Sequence, residues 1–315
     1  MTEHSHLAMG QGAEFDAIRR LLDQWGPHSV GAGDDAALLD VPAGERLAVS
    51  VDTTLEGIHF RRTWITPVEI GYRAVTGALS DLAAIGAAPL GVLVAIVLPE
   101  TWRDRLSEIA EGIGMAVSDA ETRVLGGNMS SGGELSVTTT VLGHVHAALE
   151  RDHVQVGDTL YVTGQLGGAG AALAAFVAGR APAPDYRERF VHPVARLAEG
   201  RWLAAAGATA AIDISDGLVA DAGHLAAASA VGISIDLHAV PLTAGVTPRD
   251  ALASGEEYEL LVAAPHALDT QAFHARFGVE LTRIGDAVAD HPGTVEVLDR
   301  GRRVAAARGH DHLST

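Results

Sequence analysis

The spacing of apolar and polar positions changes several times along the chain, from helical to extended and back. Phe15, Ile18, Leu21 and Leu22 recur at helical spacing, which predicts an amphipathic helix over Glu14–Trp25 that stops at Gly26–Pro27. Leu47–Val51 reads as a strand running into Asp52, and Val68–Ala84 as a long helix broken at Gly86 and Pro89. An apolar strand at Leu90–Leu98, a helix at Trp102–Ser118 and a β-rich strand at Leu135–His146 follow. The pattern restarts near Arg151–Gly157. Asp158–Thr163 then predicts a strand, Gly164–Gly170 a turn into an Ala-rich helix, and the Pro-containing stretch Ala181–Asp185 a surface loop. A short strand at Ala211 leads through Asp213-Ile-Ser-Asp216 into a helix at Leu218–Ala230, with strands at Ile233–Leu237, Tyr258–Val262 and Leu281–Gly285. Both halves mix strands and helices, so the predicted class is α/β (α+β) in two domains, residues 1–148 and 149–315.

Composition supports two domains and narrows the chemistry. At 315 residues and 48% hydrophobic, the chain can bury a sizeable core and exceeds the usual length of one compact domain. It has no cysteine, which excludes disulfides, thiolate nucleophiles and Cys-ligated metal sites, and nothing ties it to an oxidising compartment. No run approaches a membrane span, and Met1–Glu14 carries acidic residues and histidines instead of a basic and then apolar leader, so a cytoplasmic location is expected. All 22 basic residues are arginine. Without lysine there is no Walker-A lysine, no protein-kinase strand lysine and no Schiff base. If the protein handles ATP, metal ions and arginine have to neutralise it. The formal net charge of -18 disfavours nucleic acid and anionic membranes as partners.

Several acidic segments share one design, an acid beside glycine or serine at a strand end or helix start: Gly33-Asp34-Asp35, Ser50-Val51-Asp52, Ser80-Asp81, Asp213-Ile-Ser-Asp216 and Gly255-Glu256-Glu257. Taken singly, each reads more readily as a turn or helix cap. Taken together they suit hard divalent cations, which want several carboxylate oxygens from separated strand ends. Such a pocket repels a nucleotide unless metal ions bridge carboxylate to phosphate. Gly164–Gly170 admits two readings, a phosphate-binding turn and a tight strand-to-helix connection, and Gly126-Gly127-Asn128 reads as a flexible segment with the same ambiguity. His59, by itself, reads as a structural or surface histidine. His144 and His146 share a strand face but do not make a closed zinc site.

With these residues laid out, the chain resembles the thiamine-monophosphate kinase family, which shares its fold with aminoimidazole-ribonucleotide synthetase and selenophosphate synthetase. The resemblance covers roughly residues 12–288 and rests on ordered motifs: Gly33-Asp-Asp-Ala-Ala, Asp52-Thr-Thr-Leu-Glu-Gly-Ile-His-Phe60, Leu79-Ser-Asp-Leu-Ala-Ala-Ile-Gly-Ala87, Gly126-Gly-Asn128, Gly157-Asp-Thr-Leu-Tyr-Val-Thr-Gly164, Asp213-Ile-Ser-Asp-Gly-Leu218 and Gly255-Glu-Glu-Tyr-Glu-Leu260. It implies that Asp35, Ser50, Val51, Asp52, Asp81, Asp213 and Asp216 occupy metal-binding positions for several Mg²⁺ ions, Val51 through its main-chain oxygen. Arg151 and Ser215 match ATP contacts, with Gly127 and Asn128 beside the nucleotide, and His59 and Glu256 match substrate contacts. The implied fold is an N-terminal α/β domain that forms a homodimer through its sheet, with nucleotide held between it and a C-terminal α/β domain. The implied reaction moves the ATP γ-phosphoryl group to thiamine monophosphate. The same motifs also admit another ATP-dependent synthetase of this fold, or a non-catalytic nucleotide-binding paralogue. Three positions depart from the family: Asn128 stands where aspartate is usual, Glu257 replaces the second acid of Gly-Glu-Asp, and Ala307-Arg-Gly-His-Asp-His312 lacks the aromatic often placed against substrate.

Overall fold

The computed structural model describes residues 13–29, 32 and 36–305. They form two compact units, one holding the chain up to Leu82 with Ala88–His146, the other holding Ala83–Ala87 and the chain from Ala147 onward.

The first unit is a four-stranded sheet with helices. Its strands are β1 (Arg46–Leu55), β2 (Ala88–Val97), β3 (Val124–Ser130) and β4 (Ser136–Val145), and its helices are α1 (Ala13–Trp25), α2 (Pro67–Ala84) and α3 (Leu106–Asp119). The strand order is β1-β4-β2-β3, antiparallel except for the β2–β3 pair. α2 begins with a capping box: Thr66 N–H donates to Glu69 Oε2 at 2.7 Å, and Glu69 N–H donates back to Thr66 Oγ1 at 3.3 Å. α2 and α3 cross so closely that a Cβ at Gly71 would stand 2.0 Å from the Ile109 carbonyl oxygen, and one at Gly112 would stand 1.8 Å from that of Val68. Only glycine fits there. Along β4 the pleat buries Val137, Thr139, Val141 and Val145 and leaves Thr138, Thr140, Leu142 and His144 half-exposed on the other face. On β1 that second face continues as Leu47, Val49 and Val51, each more than half exposed.

The second unit holds seven strands: β5 (Thr159–Thr163), β6 (Ala210–Asp213), β7 (Gly232–Asp236), β8 (Leu260–Ala264), β9 (Leu281–Val288), β10 (Val295–Asp299) and β11 (Arg302–Val304). Their order is β11-β10-β7-β9-β5-β8-β6, with β10–β7 the parallel pair. The helices are α4 (Gly168–Val177), α5 (Pro184–Val191), α6 (Leu197–Ala205), α7 (Leu218–Ser229), α8 (Pro248–Leu252) and α9 (Thr270–Phe277). Leu218, Ala222, Leu225 and Ala226 give α7 an i, i+4, i+7, i+8 stripe, buried in one cluster with Leu160, Val162, Ile212 and Ile233. The helix is thereby fixed on the sheet, which places its first turn beside the end of β6.

Local details differ from the sequence expectation. The loop at 181–185 ends at Ala183, because Pro184 stands at the first position of α5, where a missing N–H costs nothing. Gly126–Asn128 is part of β3, paired with β2. The strand expected from Tyr258 starts at Leu260, because Glu256 (φ 62°) and Tyr258 (φ 54°) adopt left-handed backbone. Among the described residues no helix is long and apolar enough to cross a membrane.

Candidate active site

The acidic segments fall into two groups, one in each unit. Asp34 and Asp35 lie outside the described residues, as does Ala307–His312. In the first unit, alternation along β1 puts Ser50 and Asp52 on one face and Val51 on the other. Ser50 Oγ donates to Asp81 Oδ2 of α2 at 2.5 Å. Asp52 Oδ1 accepts the Thr53 N–H at 2.7 Å. Val51 turns its side chain away, 62% exposed, so only its main-chain oxygen is left to offer. His59 closes a turn after β1: its N–H donates to Leu55 O at 3.0 Å, and Nδ1 accepts the Leu55 N–H at 3.0 Å. That bond leaves the proton of the neutral ring on Nε2.

Gly127 and Asn128 sit on β3, the opposite edge of the sheet from β1. A Cβ at Gly127 would stand 1.8 Å from Val94 O, so this glycine marks a close strand contact and not flexibility. Asn128 is exposed and, with Leu93, Ala95, Thr138, Thr140 and Leu142, lines a cavity of ≈ 560 Å³ on the open face of the sheet. Three strand spacings, about 14 Å, separate β1 from β3. Within one chain, Asn128 is therefore not brought to Ser50, Asp52 and Asp81.

In the second unit, β6 ends at buried Asp213 and the chain turns through Ile214, Ser215, Asp216 and Gly217 into α7. Asp221, from the first turn of α7, reaches back: its Oδ2 accepts the N–H groups of Ser215, Asp216 and Gly217, each at 3.1 Å. The carbonyls of the same turn face the Gly255–Tyr258 loop, Ser215 O accepting from Glu256 N at 2.8 Å and Ile214 O from Tyr258 N at 2.9 Å. A Cβ at Gly255 would stand 2.6 Å from Ser215 O, so glycine lets the two loops touch. Glu256 is half-buried and its Oε2 accepts the Tyr258 hydroxyl at 2.8 Å.

Burial pushes the Asp221 carboxyl up to about 7, with the charges of Asp213 and Asp216 adding to it. Burial likewise pushes Glu257 up to about 7, against hydrogen bonds from Ser254 and the Gly167 N–H. Glu259, also buried, receives the Arg196 guanidinium bidentately at 2.8 and 2.6 Å, together with the Thr163 hydroxyl at 2.6 Å. Burial disfavours the Arg196 charge, but Glu259 and Glu199 more than offset that and raise its pKa.

Two sequence-level features resolve differently. The amides of Gly164, Leu166, Gly167 and Gly170 donate to Glu280 O, Pro241 O, Glu257 Oε1 and Ser254 Oγ respectively. Those four amides are taken up within the fold, as a tight strand-to-helix connection requires. Arg151 is exposed in a short turn whose carbonyl accepts the Ser229 hydroxyl at 2.8 Å, at the far end of α7 from Asp216. The 12 residues of α7 span about 18 Å, so the Arg151 backbone is not brought beside Asp213 and Asp216. Asp221 was not singled out from the sequence, although its place four residues after Gly217 in a first helical turn is where acids favour a helix N-terminus.

The donors in both groups are carboxylate, hydroxyl and main-chain oxygens, the set that a hard cation such as Mg²⁺ takes. Asp216, Asp221 and His224 each present a ligand atom within 4.8 Å of the others.

Residues 33–145 match the AIR synthase related protein, N-terminal domain, and residues 155–298 the corresponding C-terminal domain. The thiamine-monophosphate kinase of Salmonella typhimurium is 34% identical over 96% of this chain and 98% of its own length, and one from Escherichia coli is 35% identical with the same coverage. The crystal structure of thiamine-monophosphate kinase from Stenotrophomonas maltophilia is 33% identical, with a TM-score of 0.80 over 92% of this chain and 98% of that one. AaThiL complexed with AMPPCP and TMP is 28% identical, with a TM-score of 0.75 over 95% of this chain and 96% of that one. The hydrogenase maturation protein HypE, at 21% identity and a TM-score of 0.75, shares the fold. Near-complete coverage at this identity, on a two-domain α/β fold with the ordered acidic motifs in place, means that the chain belongs to the thiamine-monophosphate kinase family.

Proposed function

We propose that this protein is a thiamine-monophosphate kinase that transfers the γ-phosphoryl group of ATP to the phosphate of thiamine monophosphate, giving thiamine diphosphate and ADP. The observation that carries the reading is the pair of oxygen-rich acidic groups, Ser50–Asp52–Asp81 and Asp213–Asp216, on a chain aligned nearly end to end with such kinases. In the transfer, an acceptor phosphate oxygen forms the new P–O bond as the bond from the γ-phosphorus to the leaving ADP oxygen breaks. The second pKa of a phosphate monoester lies near 6, so the acceptor is mostly a dianion at neutral pH and no general base is needed. What remains is to hold two anions in line and offset their repulsion. Asp35, Ser50, the Val51 main-chain oxygen, Asp52, Asp81, Asp213 and Asp216 are the residues that would hold Mg²⁺. When bound, Mg²⁺ supplies charge neutralisation between these carboxylates and the phosphate oxygens. Arg151 and Ser215 contact the nucleotide, with Gly127 and Asn128 beside it. His59 and Glu256 orient thiamine monophosphate, Glu256 held by the Tyr258 hydroxyl.

A homodimer belongs to this reading, and two features of the first unit support it. The open sheet face carries Leu47, Val49 and Val51 at 51%, 57% and 62% exposure, more apolar surface than a lone sheet face usually leaves in water. Asn128 and Asp52 stand on opposite edges and opposite faces of the sheet, so a metal site joining these two residues would need a second copy. A cytoplasmic location is part of the same reading. The test is incubation with MgATP and thiamine monophosphate, with the product identified by mass. Thiamine diphosphate and ADP in equal amounts are expected, and turnover persisting in excess EDTA would refute the metal assignment.

A further inference from the structure

We infer that Asp221 is a positioning residue for the Asp213–Gly217 turn, acting through backbone amides and not as a ligand. The inference rests on the kinase reading for what the turn is used for, but the geometry stands by itself. Three consecutive N–H groups, from Ser215, Asp216 and Gly217, converge on the one oxygen Asp221 Oδ2 at 3.1 Å, and Asp221 N–H donates to Gly217 O at 3.0 Å. A capping side chain ordinarily precedes its helix and satisfies one orphan amide. Here a residue inside the first turn reaches back over three positions and satisfies three, wrapping the turn around its carboxylate. The outward carbonyls of Ile214 and Ser215 are taken by the Gly255–Tyr258 loop. Asp221 and that loop thus grip the turn from two sides. Asp221 is 2% exposed, and Gly217 is closed against the Ala253 backbone, 3.0 Å from where a Cβ would be, so neither end of this contact is open to solvent that could replace the lost acceptor. Fixing these amides fixes where Asp213, Ser215 and Asp216 can place their side-chain oxygens, at the positions assigned to metal and nucleotide.

The test compares Asp221→Ala with Asp221→Asn in the full-length protein, reading calorimetric affinity for Mg²⁺ with a non-hydrolysable ATP analogue, amide hydrogen exchange at residues 215–217, and thermal melting. Asn keeps an acceptor oxygen at the same reach and removes the charge. Asp221→Ala is expected to weaken Mg-nucleotide binding by about 10–100-fold, the usual range for a residue supporting a metal ligand, and to speed exchange at the three amides. Asp221→Asn is expected to stay near wild type in both. Equal weakening in Asn and Ala would overturn the inference by making the charge itself a ligand, together with Asp216 and His224. Wild-type affinity in Ala with only a lower melting temperature would also overturn it, leaving a helix cap. Asp221→Ser, whose hydroxyl is too short to span three amides, replaces Ala if that variant does not fold. Failure of the wild type to phosphorylate thiamine monophosphate would refute the substrate reading while leaving these binding and exchange measurements to decide Asp221.

Discussion

The two acidic groups are built on different kinds of backbone. Ser50, Asp52 and Asp81 project from β1, a strand laddered along its whole length to β4, and from α2, an 18-residue helix. Asp213, Ser215 and Asp216 stand on a turn shaped by Asp221 and by the left-handed residues Glu256 and Tyr258. In the first group a side chain can be exchanged with little effect on its platform. In the second, site and platform are the same residues. Chemistry and stability should therefore separate cleanly in one unit and stay entangled in the other.

The largest effect is expected from removing one buried acid in the second unit. Glu259→Ala strands the Arg196 guanidinium, whose other carboxylate, Glu199, lies at 3.4 Å, and a broken buried pair typically costs about 3–5 kcal/mol. Thermal and urea melting should show that loss even with substrates absent. A melting curve matching wild type would mean that this ion pair does not hold the loop. In the first unit the expected outcome is reversed. Asp81→Asn keeps an acceptor for the Ser50 hydroxyl, so melting should barely move, while under the proposed metal assignment turnover falls on the order of 100-fold or more with the loss of one carboxylate ligand. Near-normal turnover in this variant would remove Asp81 from the metal set.

The same contrast explains what the sequence makes legible. Ser50 and Asp81 lie on segments with clear strand and helix periodicity, so their placement could be expected from residue type and spacing. Asp221 escapes because its role depends on three amides three-dimensionally gathered, and nothing in Leu218-Val-Ala-Asp221 distinguishes it from an ordinary first-turn acid. α5 and α6 were missed for a related reason: Pro184 reads as a breaker although it opens a helix, and Leu197–Ala205 carries little amphipathic contrast. The short β10 joins the sheet by pairing with distant β7, which no local pattern announces, and β11 then folds back on β10 through the left-handed Arg300 and Gly301.

Burial in the second unit also predicts a pH signature. The Glu257 carboxyl is raised to about 7 from an ordinary 4.5, so between those values the folded protein holds a proton that the unfolded chain has released. Stability from this group is therefore greatest below the lower value, falls as pH rises through the window, and stays reduced above it. Glu257→Gln keeps acceptors for the Gly167 N–H and the Ser254 hydroxyl without titrating. Relative to wild type it should gain up to about 3 kcal/mol on going from pH 5 to pH 8. Parallel pH profiles for the two proteins would show that Glu257 ionises normally in the fold.

The smallest effect is expected at Asn128, and it bears on how the first unit is completed. The residue is exposed on β3, three strands from Asp52, on the face that lines the cavity with Thr138 and Thr140. Asn128→Asp restores a carboxylate without disturbing β3, since its partner Ala95 leaves room on the open face. At an exposed position such a charge is worth about 1 kcal/mol or less. The Mg²⁺ concentration for half-maximal turnover should therefore fall by no more than roughly fivefold, with melting unchanged. Under the proposed homodimer, Asn128 joins the Ser50–Asp81 group only across two copies, so that fall should vanish on dilution to a concentration at which light scattering shows a monomer. A gain that survives in the monomer would place Asn128 at a separate ion and remove one of the two arguments for a shared site, while no gain at any concentration would detach β3 from metal binding altogether.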